Sequence, residues 1–190
     1  MECMKIIVRS ATREDAAVIA KAVAMAIGDE EVLHSYCGDK YLEVLTEIAE
    51  REATQYSWQY ALVAEIGGVA AGAIVGYDGG LLKELRDGTF AILRESIGRV
   101  PTITDETEAG EYYLDSVAVM PEFRGFGIGK ALINSLCVKA FAEGYACVGL
   151  IVDCDNAKAE KLYASLGFIR IGTRDFFGRQ MWHLQRKTEK

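Results

Sequence analysis

The chain has 190 residues, of which 51% are hydrophobic and 26% charged, with a mean hydropathy of +0.09; this fits one globular domain with a buried core and excludes a disordered or collagen-like chain. Twenty-one Lys and Arg against 28 Asp and Glu give a net charge of −7, so a partner nucleic acid held by charge alone is not expected. The longest uncharged runs, Ala53–Ala64 and Ile66–Tyr77, are separated by Glu65 and are too short to span a membrane.

The opening Met1-Glu2-Cys3-Met4-Lys5 has no basic patch leading into an apolar core, so no signal peptide is expected. The cysteines Cys3, Cys37, Cys137, Cys147 and Cys154 are odd in number and contain no Cys-x-x-Cys pair. Reduced thiols in a cytoplasmic protein are therefore expected, with no metal site. Lys5–Arg9 alternates around Ile6 and Val8 and reads as the first strand. Thr12 with Asp15 three residues on resembles a capping box, and predicts a helix from about Arg13 to Ile27. A second helix is predicted over Lys40–Ala53 from the spacing of Leu42, Leu45, Ile48 and Ala49. Trp58–Ile66 and Val69–Tyr77 read as strands joined by Gly67-Gly68, a two-residue hairpin signal.

From Gly79 to Gly110 the pattern is less regular and predicts one or two short helices followed by an acidic loop. Glu111–Met120 reads as a strand ending at Pro121, Ile128–Glu143 as a helix stopped by Gly144, and Ala146–Val152 as a buried central strand. Asn156 can cap a helix running to Leu166, and two strands, Phe168–Thr173 and Gln180–Gln185, complete the chain. The order is that of an α+β fold with mixed strands.

Charge is distributed unevenly along this order. Residues 1–99 carry ten basic and sixteen acidic side chains, residues 100–123 carry six acids and no base, and residues 124–190 carry eleven bases and six acids. Solvated faces would account for this, as would one part that meets a cation and another that meets an anion.

The most informative stretch is Val117-Ala118-Val119 followed by Arg124-Gly125-Phe126-Gly127-Ile128-Gly129-Lys130. A strand runs into a turn with alternating glycines and then directly into a helix. Backbone N–H groups at the positive end of a helix dipole, beside Arg124 and Lys130, form a cradle for phosphate or pyrophosphate. A P-loop would need glycine at the position of Arg124 and Ser or Thr at that of Ala131, and the dinucleotide fingerprint would place its third glycine one residue later than Gly129.

The run Arg124–Gly129 resembles the pyrophosphate loop of the GNAT superfamily of acetyl-CoA-dependent N-acetyltransferases, whose pattern is Gln/Arg-x-x-Gly-x-Gly/Ala. Asn156, Tyr163 and Gly167-Phe168 are similar to the family's second signature, and the helix opened by Thr12–Asp15 to its first. The match is strong over residues 111–170, holds in outline for the N-terminal part, and leaves 79–110 uncovered. The resemblance implies a single domain over 1–190 with a variable insertion at about 79–110, folded as three α/β/α layers around a mixed, centrally splayed sheet.

It further implies acetyl-CoA as co-substrate and direct acetyl transfer to an amine, without a covalent enzyme intermediate. Val117, Ala118 and Val119 would lie along the pantetheine arm. Arg124, Gly125, Phe126, Gly127, Ile128, Gly129 and Lys130 would hold the pyrophosphate, and Asn156 would hold the cofactor or local backbone. Tyr163, seven residues after Asn156 and so on nearly the same helical face, would protonate the departing thiolate.

The acceptor must lose a proton before it attacks, and a base is expected near strand four. Asp115 and then Glu111, four apart on that strand, are the candidates; a solvated strand edge or ammonium binding without proton transfer are the competing readings. His183 could face a pocket or solvent, no Ser-His-Asp grouping can be read from the order, and Cys154 reads as a structural thiol. The expected acceptor is a small cationic amine. Acetylation of a peptide α-amine or a lysine is the alternative, and a non-catalytic acetyl-CoA sensor is the alternative of another class. For residues 79–110, a substrate lid and a homodimer contact are equally open.

Overall fold

Seven strands form one mixed sheet in a computed structural model that describes residues 5–188; Met1–Met4, with Cys3, lie outside them. In chain order the strands are β1 (Ile6–Ser10), β2 (Ala61–Ile66), β3 (Val69–Asp78), β4 (Tyr112–Val119), β5 (Cys147–Asp153), β6 (Ile169–Phe176) and β7 (Arg179–Lys187). They are arranged β1-β2-β3-β4-β5-β7-β6, antiparallel at every step except β4 beside β5. The helices are α1 (Ala16–Ile27), α2 (Glu30–Cys37), α3 (Tyr41–Glu50), α4 (Leu82–Ile97), α5 (Ile128–Ala142) and α6 (Ala157–Ala164).

Each sheet face buries its own core. On one face Ile19 and Val23 of α1, Leu45 and Ile48 of α3 and Leu93 of α4 pack on Val63, Ala73 and Tyr77. On the other, Leu132, Ile133 and Leu136 of α5 pack on Ile74, Leu114 and Leu150, with Leu162 and Tyr163 of α6 against the same cluster. This is the expected three-layer α/β/α arrangement.

The local signals account for most boundaries. Thr12 and Asp15 form the capping box, and Asp15 also receives both ends of the Arg9 guanidinium at 2.7 and 2.9 Å, tying β1 to the start of α1. The first turn, Arg13–Asp15, is a tighter 3-10 turn. Gly67 and Gly68 both take positive φ, +60° and +80°, as a two-residue hairpin with the sheet's twist requires. Trp58–Tyr60 is a 3-10 turn rather than the beginning of β2, opened by the Ser57 side chain, which accepts the Gln59 N–H at 3.2 Å.

Two elements differ from the sequence expectation. The acidic run Asp29-Glu30-Glu31 opens a helix, α2: the Asp29 carboxylate accepts the Val32 N–H at 3.2 Å, and the two glutamates occupy the positive first turn. Leu82–Ile97 form a single long helix, α4, after a short 3-10 turn at Gly79–Leu81. Gly88 lies inside this continuous helix, where any Cβ would overlap the carbonyl oxygen of Ala53; the glycine lets the loop after α3 press against the helix.

Residues 100–110 are loop, as expected, and Glu111, expected to open the next strand, stands just before it; much of the charge of this segment is buried. Glu106 and Glu111 are 3% and 2% exposed, and Arg86 of α4 pairs with Asp105 at 2.7 Å and with Glu106. No helix among the described residues is long and apolar enough to cross a membrane.

Candidate active site

The site begins where β4 and β5 part. They pair only at Tyr112 with Val148 and Tyr113 with Gly149, and beyond these residues β4 keeps its ladder to β3 while its other edge is open. Residues Asp115 to Val119 therefore carry backbone groups with no strand partner on the side of β5. A cavity of about 730 Å³ occupies the opening, walled by Tyr113 and Asp115–Val117 of β4, Ile151–Asp153 of β5, and Asn156 and Tyr163 beside and on α6. A second space of about 710 Å³ shares Met25, Val117, Asn156 and Ala159 with the first and continues along Ala118 and Val119.

The glycine turn borders this second space. Gly125 and Gly127 have φ of +87° and +81°, and a Cβ at either would meet no atom within 4 Å. Tight packing does not explain them: they shape the backbone and leave open room before it. The first intrahelical bond of α5 runs from Ala131 N–H to Gly127 O, so the N–H groups of Ile128, Gly129 and Lys130 precede it and are available to an outside acceptor. The Ile128 side chain itself is buried in the α5 core, whereas Phe126 is exposed. Arg124 folds back, its Nε donating to Val119 O at 3.3 Å. Arg124, Lys130, Lys158 and Lys161 line this space, and no carboxylate does.

The first cavity has the opposite character. Its lining contains Asp29, Glu106, Asp115, Asp153 and Asp155, against Arg86 and Arg179. Asp115 is the extra residue of a β-bulge: Val75 faces Ser116, Gly76 faces Leu114, and Asp115 has no partner on β3. Its Oδ2 accepts the Tyr77 hydroxyl at 2.7 Å and its Oδ1 that of Ser116 at 2.8 Å. Burial raises its carboxyl above the ordinary range, although both hydrogen bonds pull the other way. Beside it, Glu106 accepts from Arg86 and, at 3.3 Å, from Gln55 Nε2. Burial and then the neighbouring Asp115 charge push Glu106 up to about 7. Gln55 Oε1 and Arg86 Nε are buried with no hydrogen-bond partner among the described residues.

Across the fork, Tyr163 lines the cavity with its ring edge-on to Phe168, and burial pushes its phenol up to about 12. Asn156 borders both spaces while its Oδ1 caps α6 by accepting the Ala159 N–H at 3.0 Å. The tip of the β6–β7 hairpin closes the far end. Phe177 meets the Tyr36 ring edge-on at 6.1 Å, and Arg179 bridges Asp29 at 3.2 Å and Asp153 at 3.3 Å.

The fork thus brings together Asp115, Val117, Ala118, Val119, Arg124, Lys130, Asn156 and Tyr163 from the sequence reading. Glu111 is separated from them. It stands just before β4, where its carboxylate takes bonds from Thr107 at 2.7 Å, Gln185 at 2.7 Å and His183 at 2.9 Å. Burial works against its charge, but those three partners hold it below the ordinary carboxylate range. Gly149 is what leaves room for it, since a Cβ there would overlap the Glu111 carboxylate. His183 is thus buried in that cluster, and its other nitrogen meets Arg174 Nε at 3.3 Å. His34 sits on the surface beside Asp39 at 3.2 Å. Gln55, Arg86 and Glu106 have no sequence motif around them.

Residues 30–168 match the model of the Acetyltransferase (GNAT) family. Among solved structures, one acetyltransferase is 33% identical and superposes with a TM-score of 0.81 over 96% of this chain and 100% of its own. The N-acetyltransferase from Staphylococcus aureus Mu50 is 27% identical with a TM-score of 0.77, over 94% and 99% of the two chains. The N-alpha-acetyltransferase RimI of Mycobacterium tuberculosis is 35% identical over 109 residues, 57% of this chain and 54% of that protein. The chain spans between 17% and 55% of the length of the curated relatives it matches. The splayed fork, the open glycine turn and these likenesses agree: the chain belongs to the GNAT family of acetyltransferases.

Proposed function

We propose that the chain, acting as one domain, transfers an acetyl group from acetyl-CoA to a small cationic primary amine. The observation that carries this reading is the sorting of charge about a single fork, with four cations and no carboxylate on one side and five carboxylates against two arginines on the other. Bound acetyl-CoA would supply an acetyl thioester, an electrophile open to direct attack by an amine. The N–H groups of the glycine turn, with Arg124 and Lys130, suit a pyrophosphate. The open edge of Val117–Val119 suits an extended amide-bearing arm, with a backbone N–H near Val119 to steady charge on the carbonyl oxygen. Asn156 caps the helix that borders this path. Tyr163, which lines the cavity and is kept neutral by burial, is the proposed proton donor to a departing thiolate.

An alkylammonium of pKa ~10 costs about 4 kcal/mol to deprotonate at pH 7, at ~1.36 kcal/mol per pH unit. Asp115 is the strand-four carboxylate in the cavity and the one proposed to draw that proton. Glu111, engaged elsewhere, is left with the role of securing the root of the fork. The segment 79–110 contributes Arg86, Ile103 and Glu106 to the cavity wall, which favours a part in acceptor binding.

A peptide α-amine is the second reading, favoured by the likeness to RimI; the hairpin tip closed over Tyr36 favours the small amine. The deciding experiment is thiol release from acetyl-CoA with a panel of alkylamines and N-terminal peptides. Turnover with alkylamines and none with peptides is expected. Peptide turnover alone would overturn the small-amine reading, and acetyl-CoA binding without turnover of any acceptor would favour a sensor.

A further inference from the structure

The acceptor half of the cavity holds two carboxylates from different elements, Glu106 of the segment after α4 and Asp115 of the β4 bulge. One hydrogen-bonded chain joins them. Tyr77 gives its proton to Asp115 Oδ2 at 2.7 Å, so its oxygen is left to accept, and Gln55 Nε2 donates to it at 3.3 Å. The same Nε2 donates to Glu106 Oε1 at 3.3 Å. This fixes the amide, because the opposite orientation would set its oxygen against a carboxylate oxygen and a hydroxyl already committed as donor. Gln55 Oε1 is therefore an acceptor. Gln55 is 3% exposed and lines the cavity, and among the described residues no donor reaches that oxygen. A buried polar atom without a partner is costly, and a donor arriving with a ligand would satisfy it.

We propose that Glu106 and Asp115 act as one electrostatically coupled pair of carboxylates, held in place by Gln55 and Tyr77, which holds the acceptor's ammonium against Gln55 Oε1 and takes its proton. The proposal rests on the reading of this cavity as an amine site. In the step, one N–H bond of the ammonium breaks and an O–H bond forms on a carboxylate of the pair. The nitrogen keeps the electron pair and becomes neutral, and the pair retains one negative charge. The groups facing Glu106 are Arg86 of α4, Asp105 beside it, Asp115 and Tyr113 of β4, Tyr77 of β3 and Tyr36 of α2. Burial and the Asp115 charge bring Glu106 to about 7, where a base works well at neutral pH. The same chemistry selects the acceptor: an alkylammonium brings both the charge and the N–H donor, whereas an alcohol or an uncharged arylamine brings no cation.

Infrared difference spectra of the full chain without ligand, titrated between about pH 4 and about pH 9, read the protonated carboxyl stretch directly. A band with its midpoint near pH 7 is expected, absent in Glu106→Gln and moved to lower pH in Asp115→Asn, because the charge that raises Glu106 is gone. Should Glu106→Gln fail to fold, the Asp115→Asn shift decides. A wild-type chain whose carboxyls all titrate in the ordinary range, or a band that Asp115→Asn leaves in place, would overturn the pair. In the kinetic arm, kcat/KM for n-butylamine should follow the same midpoint and fall by about 100-fold in Glu106→Gln. Turnover without the titrating band overturns the pair and keeps the amine reading. The band without turnover of any amine supports the pair and overturns the amine reading.

Discussion

Tyr163 and Asp115 face the fork from opposite walls, and burial drives both toward their neutral forms. For a phenol this means a group that stays protonated through neutral pH and has a proton to give. Tyr163→Phe keeps the ring and its edge contact with Phe168 while removing only that proton. Turnover should fall by about 100-fold, the ordinary contribution of a positioned acid, with the thermal shift produced by acetyl-CoA unchanged. An equal loss of cofactor binding would assign Tyr163 to holding the cofactor instead. The two acids expected on strand four illustrate what the sequence could and could not tell at this scale. Asp115 and Glu111 are four apart and equivalent by spacing. What separates them is long-range: a bulge opposite Val75 and Gly76 leaves Asp115 in the cavity, and a glycine on β5 admits Glu111 into a cluster with two residues of β7. Neither event has a local signature.

At the scale of elements, the glycine turn was legible because it is local: alternating glycines between a strand and a helix constrain the backbone whatever the rest of the chain does. Gly127 lies in the left-handed region, where another residue costs about 1–2 kcal/mol, and before it is open space. Gly127→Glu should therefore leave a folded protein that shows no thermal shift with acetyl-CoA, since a carboxylate would project where the pyrophosphate is proposed to lie. Gly98→Glu is the control. Gly98 ends α4 with φ of +70° and equally open surroundings, so it carries the same backbone cost away from the turn between Arg124 and Lys130. Loss of the shift in both variants would reduce the turn to a stability element. The elements that escaped the sequence reading had signals that pointed two ways. Asp29-Glu30-Glu31 is both a helix start and a solvated acidic run, and the burial of Leu33, Tyr36 and Cys37 settles it as α2. Gly88 reads as a break in α4 until the loop that presses on it is known.

Across the whole molecule, the four cations of the second space all come from the basic stretch 124–190, but the acidic side draws Asp153 and Asp155 from that same stretch, and its buried acids are held by arginines. Arg86 is shared between Asp105 and Glu106, Arg174 meets Glu108 at 2.9 Å, and Arg179 reaches Asp29 across 150 positions of chain. The last of these fastens the β6–β7 hairpin over the cavity. The hairpin turn is Phe177-Gly178, with φ of +48° and +72°, a geometry that favours Asn-Gly. A phenylalanine there is costly to the backbone, and what it gains is contact with the Phe176 and Tyr36 rings at the closed end. Phe177→Asn separates these roles. The backbone should relax, offsetting the loss of a ring already 38% exposed, so that Tm stays within a few degrees of the wild type. The cavity should open at the same time, and kcat/KM for branched or peptidyl amines should rise relative to a small alkylamine by about five-fold or more, the equivalent of ~1 kcal/mol of discrimination. A large fall in Tm with the acceptor ratio unchanged would mean that Phe177 only packs the hairpin, and that acceptor size is set deeper in the cavity.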